Sequence, residues 1–239
     1  MHAFLLSLLY LSSLNIYANG ETALVFSQIS GSPDQQVSVQ ILKKAYRKLG
    51  INISFELVSG KRALIQSNMG VTDGEAGRIY EIGEKYPNLI RVPTSVNYIE
   101  QSVFTIKDFN IRDCEDLKNL DVGIVRGIKH AEDCTAGSKR VSIVQDSLQL
   151  IKELNDRKVD IILAAYFNGM IQIKRLGYSK IKAIRPPLSR KKIYHYLNKK
   201  HIALVPKINK ALKEMKESGE MKEIRDEVQT EIMMSAEKY

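Results

Sequence analysis

Two carboxylates and one guanidinium crowd into eight residues, Val71-Thr-Asp-Gly-Glu-Ala-Gly-Arg78, around two glycines. Glycine lets a backbone take positive φ and approach another molecule closely. Arginine offers a planar fork of donors matched to a carboxylate. Asp73, Glu75 and Arg78 therefore read as a turn able to hold a small charged ligand, or as a surface turn closed by a local Glu75/Arg78 pair. Other chemistry is not spelled out. There is no Gly-x-Ser-x-Gly, no Walker loop and no His-Glu-x-x-His. Cys114 and Cys134 with His130 make an incomplete metal-ligand set, so neither metal nor cofactor is expected.

The flanking segments place this turn. Thr22–Ile29 reads as a strand, and Gly31-Ser-Pro-Asp34 as a turn that caps the next helix. Gln35–Leu49 carries Val37, Ile41, Ala45 and Leu49 at a spacing of four and stops at Gly50. Ile51–Val58 alternates as a half-buried strand, and Lys61–Asn68 is a short helix closing at Gly70. This β-α-β-α series predicts a parallel sheet with ligands off the carboxyl ends of its strands. The loop 28–32 and the Val71–Arg78 turn both fall there.

The series recurs. Asp121–Val125 is an apolar strand leading to Arg126-Gly127-Ile128-Lys129 at a helix start. Val141–Val144 is a strand, Leu148–Leu154 a helix and Val159–Ala165 a strand. Ser67-Asn-Met-Gly-Val-Thr-Asp73 parallels Leu154-Asn-Asp-Arg-Lys-Val-Asp160. Two lobes built alike, each with its own sheet, are expected to face one another across a groove. Ile90–Val92 and Ser102–Ile106 read as strands around the first crossing, with Pro93 and Tyr98 in the connection, and Pro186-Pro187 marks a return crossing near Ile184–Leu188. The helix after Pro206 is amphipathic, with Ile208, Leu212 and Met215 on one side, and a second helix follows from Glu220 to about residue 232.

Met1–Leu14 is almost wholly apolar and is followed by small residues at Ala18 and Gly20. That pattern fits a secretory leader over residues 1–20, cut before Glu21 or after Ala18, and the run is short for a membrane span. Hydrophobic residues at 44% and charged residues at 26% are ordinary for a globular chain with ample core. In an oxidising compartment Cys114 and Cys134 either close a disulfide loop, worth about 3 kcal/mol on the chain-entropy model, or stay free. The net charge of +9 is uneven. Residues 1–173 balance 19 basic against 19 acidic side chains, whereas 174–200 holds ten Lys or Arg and no acid. Such a stripe is a solvated face or an attractor for anionic ligands, polymers or lipid. It lacks stacking aromatics beyond Tyr178, Tyr194 and Tyr196, and no nucleic-acid partner is expected.

Gly70-Val-Thr-Asp-Gly-Glu-Ala-Gly-Arg78, Asp116-Leu-Lys-Asn-Leu-Asp-Val-Gly-Ile-Val-Arg-Gly127, Ile193-Tyr-His-Tyr-Leu-Asn-Lys-Lys-His201 and Leu212-Lys-Glu-Met-Lys-Glu-Ser-Gly219 follow in an order and spacing that resembles extracellular solute-binding proteins of family 3. The resemblance covers the whole chain after the leader. It implies an α/β, two-lobed, type II periplasmic binding fold, with central sheets flanked by helices and a cleft between lobes that close by hinge motion. Residues 21–105 with 185–239 would form lobe 1 and 106–184 lobe 2. It also implies a monomeric periplasmic protein that captures a small polar ligand for an ABC permease or a membrane sensor.

By position, Arg78 resembles the first-lobe arginine that pairs with a ligand carboxylate, and Gly127 and Ile128 the backbone donors to the same group. Arg126 and Lys129 flank those donors. Arg62 adds a second positive contact or is a surface residue, and Tyr98 walls the pocket or is ordinary packing. Amino-acid binders of the family place an acid just after the strand equivalent to Asp160–Leu163, but here the chain reads Leu163-Ala-Ala-Tyr-Phe-Asn-Gly169. Glu75 from the other lobe, or Tyr166 and Asn168, are the candidate substitutes, and a ligand without an α-amino group is an open alternative. Dehydratases of cyclic acids also resemble this family; an enzyme of that kind would use Glu75, or less readily His130 or His195, as acid–base group. On the binding reading, Arg78→Ala is expected to abolish carboxylate binding and leave the fold intact.

Overall fold

The computed structural model describes residues 23–236, so the leader expected over 1–20 lies outside the described residues. The first half runs β1 (Leu24–Ile29), α1 (Pro33–Lys48), β2 (Ile53–Val58), α2 (Gly60–Met69), β3 (Gly74–Ile79), α3 (Ile82–Lys85) and β4 (Leu89–Thr105). The second runs β5 (Asp121–Val125), α4 (Lys129–Cys134), β6 (Arg140–Val144), α5 (Ser147–Asn155), β7 (Ile161–Ala165), α6 (Tyr166–Leu176) and β8 (Lys182–Ala183). The chain then returns through β9 (Ser189–Asn198) to α7 (Val205–Glu217) and α8 (Glu220–Ser235).

Local chemistry explains the elements nearest the groove. Ser32 caps α1 by accepting the Gln35 N–H, Pro33 occupies the first turn, and Arg47 and Lys48 sit in the last turn, where the helix dipole favours cations. Val37, Ile41 and Ala45 form its buried stripe, as the spacing predicted. Gln35 is buried too, and its amide accepts from Ile29 N–H and donates to the Gly77 carbonyl, tying α1 to the ends of β1 and β3.

The repeat noticed in the sequence is structural. Asp73 N–H donates to the Val25 carbonyl while its carboxylate accepts from Val25 N–H; Asp160 does the same with Asp121. The preceding helices end alike, with Gly70 at φ 78° and Arg157 at φ 59°. Each acid also meets a lysine, Lys200 for Asp73 and Lys107 for Asp160.

Three expectations are corrected. The two sheets are one continuous sheet, ordered β2-β1-β3-β9-β4-β7-β5-β6 with β8 beside β4. It is parallel within each β-α-β unit but antiparallel where β3, β9, β4 and β7 meet. The cause is β4, a single 17-residue strand in place of two strands and a connection. Pro93 does not break it, because the β4–β9 register shifts between Arg91 and Ser95, where no ladder donor is needed, and Thr94 N–H finds Asn209 Oδ1 of α7. Tyr98 is therefore in mid-strand, opposite Lys192. Finally, the eight-residue turn is mostly β3. At Gly74 a Cβ would lie 2.0 Å from the Tyr196 carbonyl, so only glycine allows that approach to β9.

Most apolar packing falls in two regions, bridged by a small cluster of Phe167 and Ile171 of α6 against Ile232, Met233 and Ala236 at the end of α8. One joins α1, α7 and α8 to β1 and the first half of β4, with Phe26, Val92, Leu197 and Leu212 at its centre. The other lies on both faces of the second half of β4 with β5 and β7. Only β4 and the 184–189 return join them along the backbone. Cys114 and Cys134 are disulfide-bonded, which answers the alternative left open by the sequence.

Candidate functional site

The charges of the opening stretch do not meet on one turn. Asp73 points back to β1 and the segment after β9, accepting from Val25 N–H, Lys200 Nζ (2.8 Å) and His201 Nε2 (2.6 Å). Burial alone would raise its pKa, but these donors outweigh it and hold the carboxyl below the ordinary range. Glu75 is wholly buried. Its oxygens accept from Ser67 Oγ (2.9 Å) and Arg78 Nε (2.7 Å), and Arg78 Nη2 donates to the Gly60 carbonyl (2.8 Å). Burial pushes the Glu75 carboxyl up, against the pull of Arg78 and Ser67. Arg78 is thus held rigidly at the carboxyl end of β3 beside the start of α2, its side chain 11% exposed.

His195 lies behind this pair. Its Nδ1 is 2.7 Å from the Glu75 carbonyl, which can only accept, so Nδ1 carries the proton and Nε2 accepts from Tyr46 OH at 2.8 Å. Burial lowers its pKa to about 4, and the ring is neutral at pH 7. His195 is inside the core, away from any groove.

The residues expected around the second helix start are distributed otherwise. Arg126, Gly127 and Ile128 form an exposed turn between β5 and α4. Gly127 N–H donates to Glu132 Oε1 (2.9 Å) and Ile128 N–H to the Val125 carbonyl, so both amides have partners within the chain. Lys129 opens α4, but its side chain and that of His130 lie outside the described residues. Arg62 is exposed in the first turn of α2. Asn168 ties α6 to α5 through Ser147 Oγ.

Tyr98 and Tyr166 do come together. They line a cavity of 280 Å³ with Asp34, Glu100, Arg185 and Arg190. Its walls come from the first turn of α1, the middle of β4, the junction of β7 and α6, and the return into β9, so both packing regions contribute. Glu100, with a side chain 9% exposed, accepts from Arg185 Nη1 (2.6 Å) and from Nε and Nη2 of Arg190. Burial would raise Glu100, but the two guanidiniums prevail and lower it. The same arginines lie over tyrosine faces, Arg185 at 3.9 Å from the Tyr166 ring centre and Arg190 at 4.5 Å from that of Tyr98; Arg225 of α8 also lies 4.5 Å from Tyr98. Asp34 differs. Among the described residues its carboxylate has no hydrogen bond or ion pair, and burial raises its pKa to about 6.

Sequence reasoning missed Asp34, Glu100, Arg185 and Arg190. Asp34 was legible only as a capping-turn residue, and the two arginines were submerged in the basic stretch. At least five of that stretch's ten cations, Lys182, Arg185, Arg190, Lys191 and Lys200, are paired with carboxylates. Among the described residues there is no cluster of His, Cys, Asp or Glu that could hold a metal ion, and no helix long and apolar enough to cross a membrane.

The family model of bacterial extracellular solute-binding proteins, family 3, matches residues 35–229. The chain belongs to that family. An uncharacterized protein of Shewanella oneidensis is 29% identical to this family 3 protein over 189 residues, covering 75% of this chain and 70% of the relative. Among solved structures, an amino acid ABC transporter substrate-binding protein from Streptococcus pneumoniae bound to L-arginine superposes with a TM-score of 0.66. It is 15% identical and covers 88% of this chain and 96% of its own. A histidine kinase sensor domain similar to periplasmic binding proteins gives 0.66 at 16% identity, covering 87% of this chain and 95% of its own. At these identities the structures establish the two-lobed α/β fold that the residues pointed to.

Proposed function

We propose that this family 3 protein captures a small polar, carboxylate-bearing solute, an amino acid or a related metabolite, and presents it to an ABC permease or a membrane sensor. Capture takes place between a lobe of residues 21–105 with 185–239 and a lobe of 106–184, in an exported periplasmic monomer that binds one solute per chain and no nucleic acid. The observation that carries this reading is the cavity at the crossing strands, walled from both packing regions and, at 280 Å³, just below the range of about 300–1,000 Å³ usual for ligand sites, a volume suited to a small solute. Arg78 does not line that cavity; it is assigned to the solute carboxylate by its place in the family resemblance, with its guanidinium fixed at the carboxyl end of β3 by Glu75 and the Gly60 carbonyl. The transporter and sensor likenesses above support the two destinations equally.

The test is a thermal-shift screen of the purified chain against amino acids, mono- and dicarboxylates, polyamines and cyclic acids. A solute at about a hundred times its dissociation constant adds roughly 2.7 kcal/mol, which moves the midpoint by several degrees. Lobe closure should then reduce the radius of gyration in X-ray scattering. A panel in which no solute moves the midpoint refutes the reading.

A further inference from the structure

We infer that a second cavity, where the shifted part of β4 meets β9 and the carboxyl half of α7, binds a compact polyanion of linked phosphate groups. This cavity measures 480 Å³, within the range of about 300–1,000 Å³ usual for ligand sites. It shares no lining residue with the cavity of Tyr98 and Tyr166, so the inference stands apart from the solute-binding reading. Charge is the first argument. Lys192 of β9 and Lys213 and Lys216 of α7 line the cavity against one carboxylate, Glu217. Lys213 and Glu217 pair at 3.8 Å. Lys192 and Lys216 have no ion pair or hydrogen bond among the described residues, so two ammonium groups are left uncompensated.

The fold explains why these cations gather. Leu212 and Met215 are buried in the first core, which leaves Lys213 and Lys216 of the same helix turned outward. Lys192 precedes buried Ile193 on β9 and is exposed by the alternation of the strand. Residues 93–95 of β4 lie where its register against β9 shifts, and that part of β4 pairs with no other strand. There Thr94 and Ser95 bring hydroxyls to the cavity, and neither hydroxyl has a partner among the described residues. Tyr194 adds a wall, and the Arg91 guanidinium lies 5.2 Å from its ring centre, with Nε buried and without a hydrogen-bond partner among the described residues. The ligand class follows from the donor types. No guanidinium lines the cavity, so the planar fork that suits a carboxylate is missing, whereas ammonium point charges and hydroxyls suit phosphate oxygens. Positive groups spread around 480 Å³ are matched by an anion whose charge is also spread, a diphosphate or triphosphate group rather than a single phosphate.

The experiment is calorimetric titration at low ionic strength, with sodium tripolyphosphate and with orthophosphate, of the purified chain and two double variants. Lys192→Gln/Lys216→Gln removes the uncompensated pair. Lys43→Gln/Lys152→Gln removes the same charge from exposed positions of α1 and α5. The expected result is one tripolyphosphate per chain, bound more tightly than orthophosphate, with binding at least about tenfold weaker in the cavity variant and changed less than about threefold in the control. Flotation with phosphatidylcholine vesicles containing cardiolipin separates two sources of the same chemistry. Vesicle binding that tripolyphosphate displaces and the cavity variant loses assigns the site to a lipid headgroup; tripolyphosphate binding without vesicle binding assigns it to a soluble compound. Melting curves of both variants separate lost binding from lost fold. Absence of saturable tripolyphosphate binding to the wild type, or equal weakening in the two variants, which the net charge of +9 alone would produce, overturns the inference.

Discussion

Replacing Asp34 by Asn should stabilise the solute-free protein, and by an amount that depends on pH. Raising the carboxyl from 3.8 to about 6 corresponds to about 3 kcal/mol at about 1.4 kcal/mol per pH unit. Asp34 sits in the first turn of α1, where the helix dipole favours a negative charge by about 0.3–1 kcal/mol, which leaves about 2 kcal/mol. The sign follows from proton binding. The folded state holds this proton more tightly than the unfolded chain, so the penalty is absent below 3.8, grows between about 4 and 6, and is complete above about 6. Asparagine keeps the shape and is neutral throughout. Scanning calorimetry without solute should therefore show the variant melting roughly 4–8 °C above wild type near pH 7.5 and level with it near pH 4. An offset that does not change between those pH values, or a variant that melts lower near pH 7.5, refutes the reasoning. Comparing variant with wild type removes the acids that titrate the other way, such as Asp73 and Glu100.

Arg78→Ala should do more than weaken carboxylate binding, because it leaves Glu75 charged and unpaired in the interior. A loss of about 3–5 kcal/mol in urea unfolding is expected, largely restored in Arg78→Ala/Glu75→Gln; equal stability of single and double variants would contradict the pairing. His195 should stay neutral, protonated at Nδ1, down to about pH 4. Its contribution of about 3 kcal/mol is present above 6.5 and lost as pH falls from there toward 4; imidazole nitrogen shifts showing a cation at pH 6 would sink this. Gly70→Ala should cost about 1–2 kcal/mol in thermal melts, since φ is 78° and Asn198 lies 3.4 Å from the new Cβ. Its counterpart Arg157→Gly, at φ 59°, should be neutral or stabilising by up to about 1 kcal/mol.

Elements with strong local signals were legible in the sequence. The spacing of Val37, Ile41 and Ala45, and of Ile208, Leu212 and Met215, placed the buried faces of α1 and α7, and the echo of Ser67–Asp73 in Leu154–Asp160 exposed the repeat. Pro93 misled because its meaning depends on pairing. A proline beside a register shift, with Asn209 supplying the missing partner, interrupts nothing. The site was less legible for a similar reason. Glu75 and Arg78 announced themselves by type and spacing, yet Glu75 faces inward to Ser67, whereas the cavity draws Asp34, Glu100, Arg185 and Arg190 from segments far apart in sequence. No local pattern encodes such a convergence. Only the crossing of β4 and the return into β9 creates it.

The place of β9 has a consequence for the order of events during synthesis. It lies between β3 and β4, although its residues, Ser189–Asn198, are made long after both. The first core also needs α7 and α8, the last segments of all. A chain emerging from its amino end therefore completes residues 106–188, a β-α-β unit able to assemble on the spot, while its earliest strands wait with an open slot. The amino-terminal strands therefore cannot close their part of the sheet until the chain is nearly finished, so the first core is the last part of the fold to be completed.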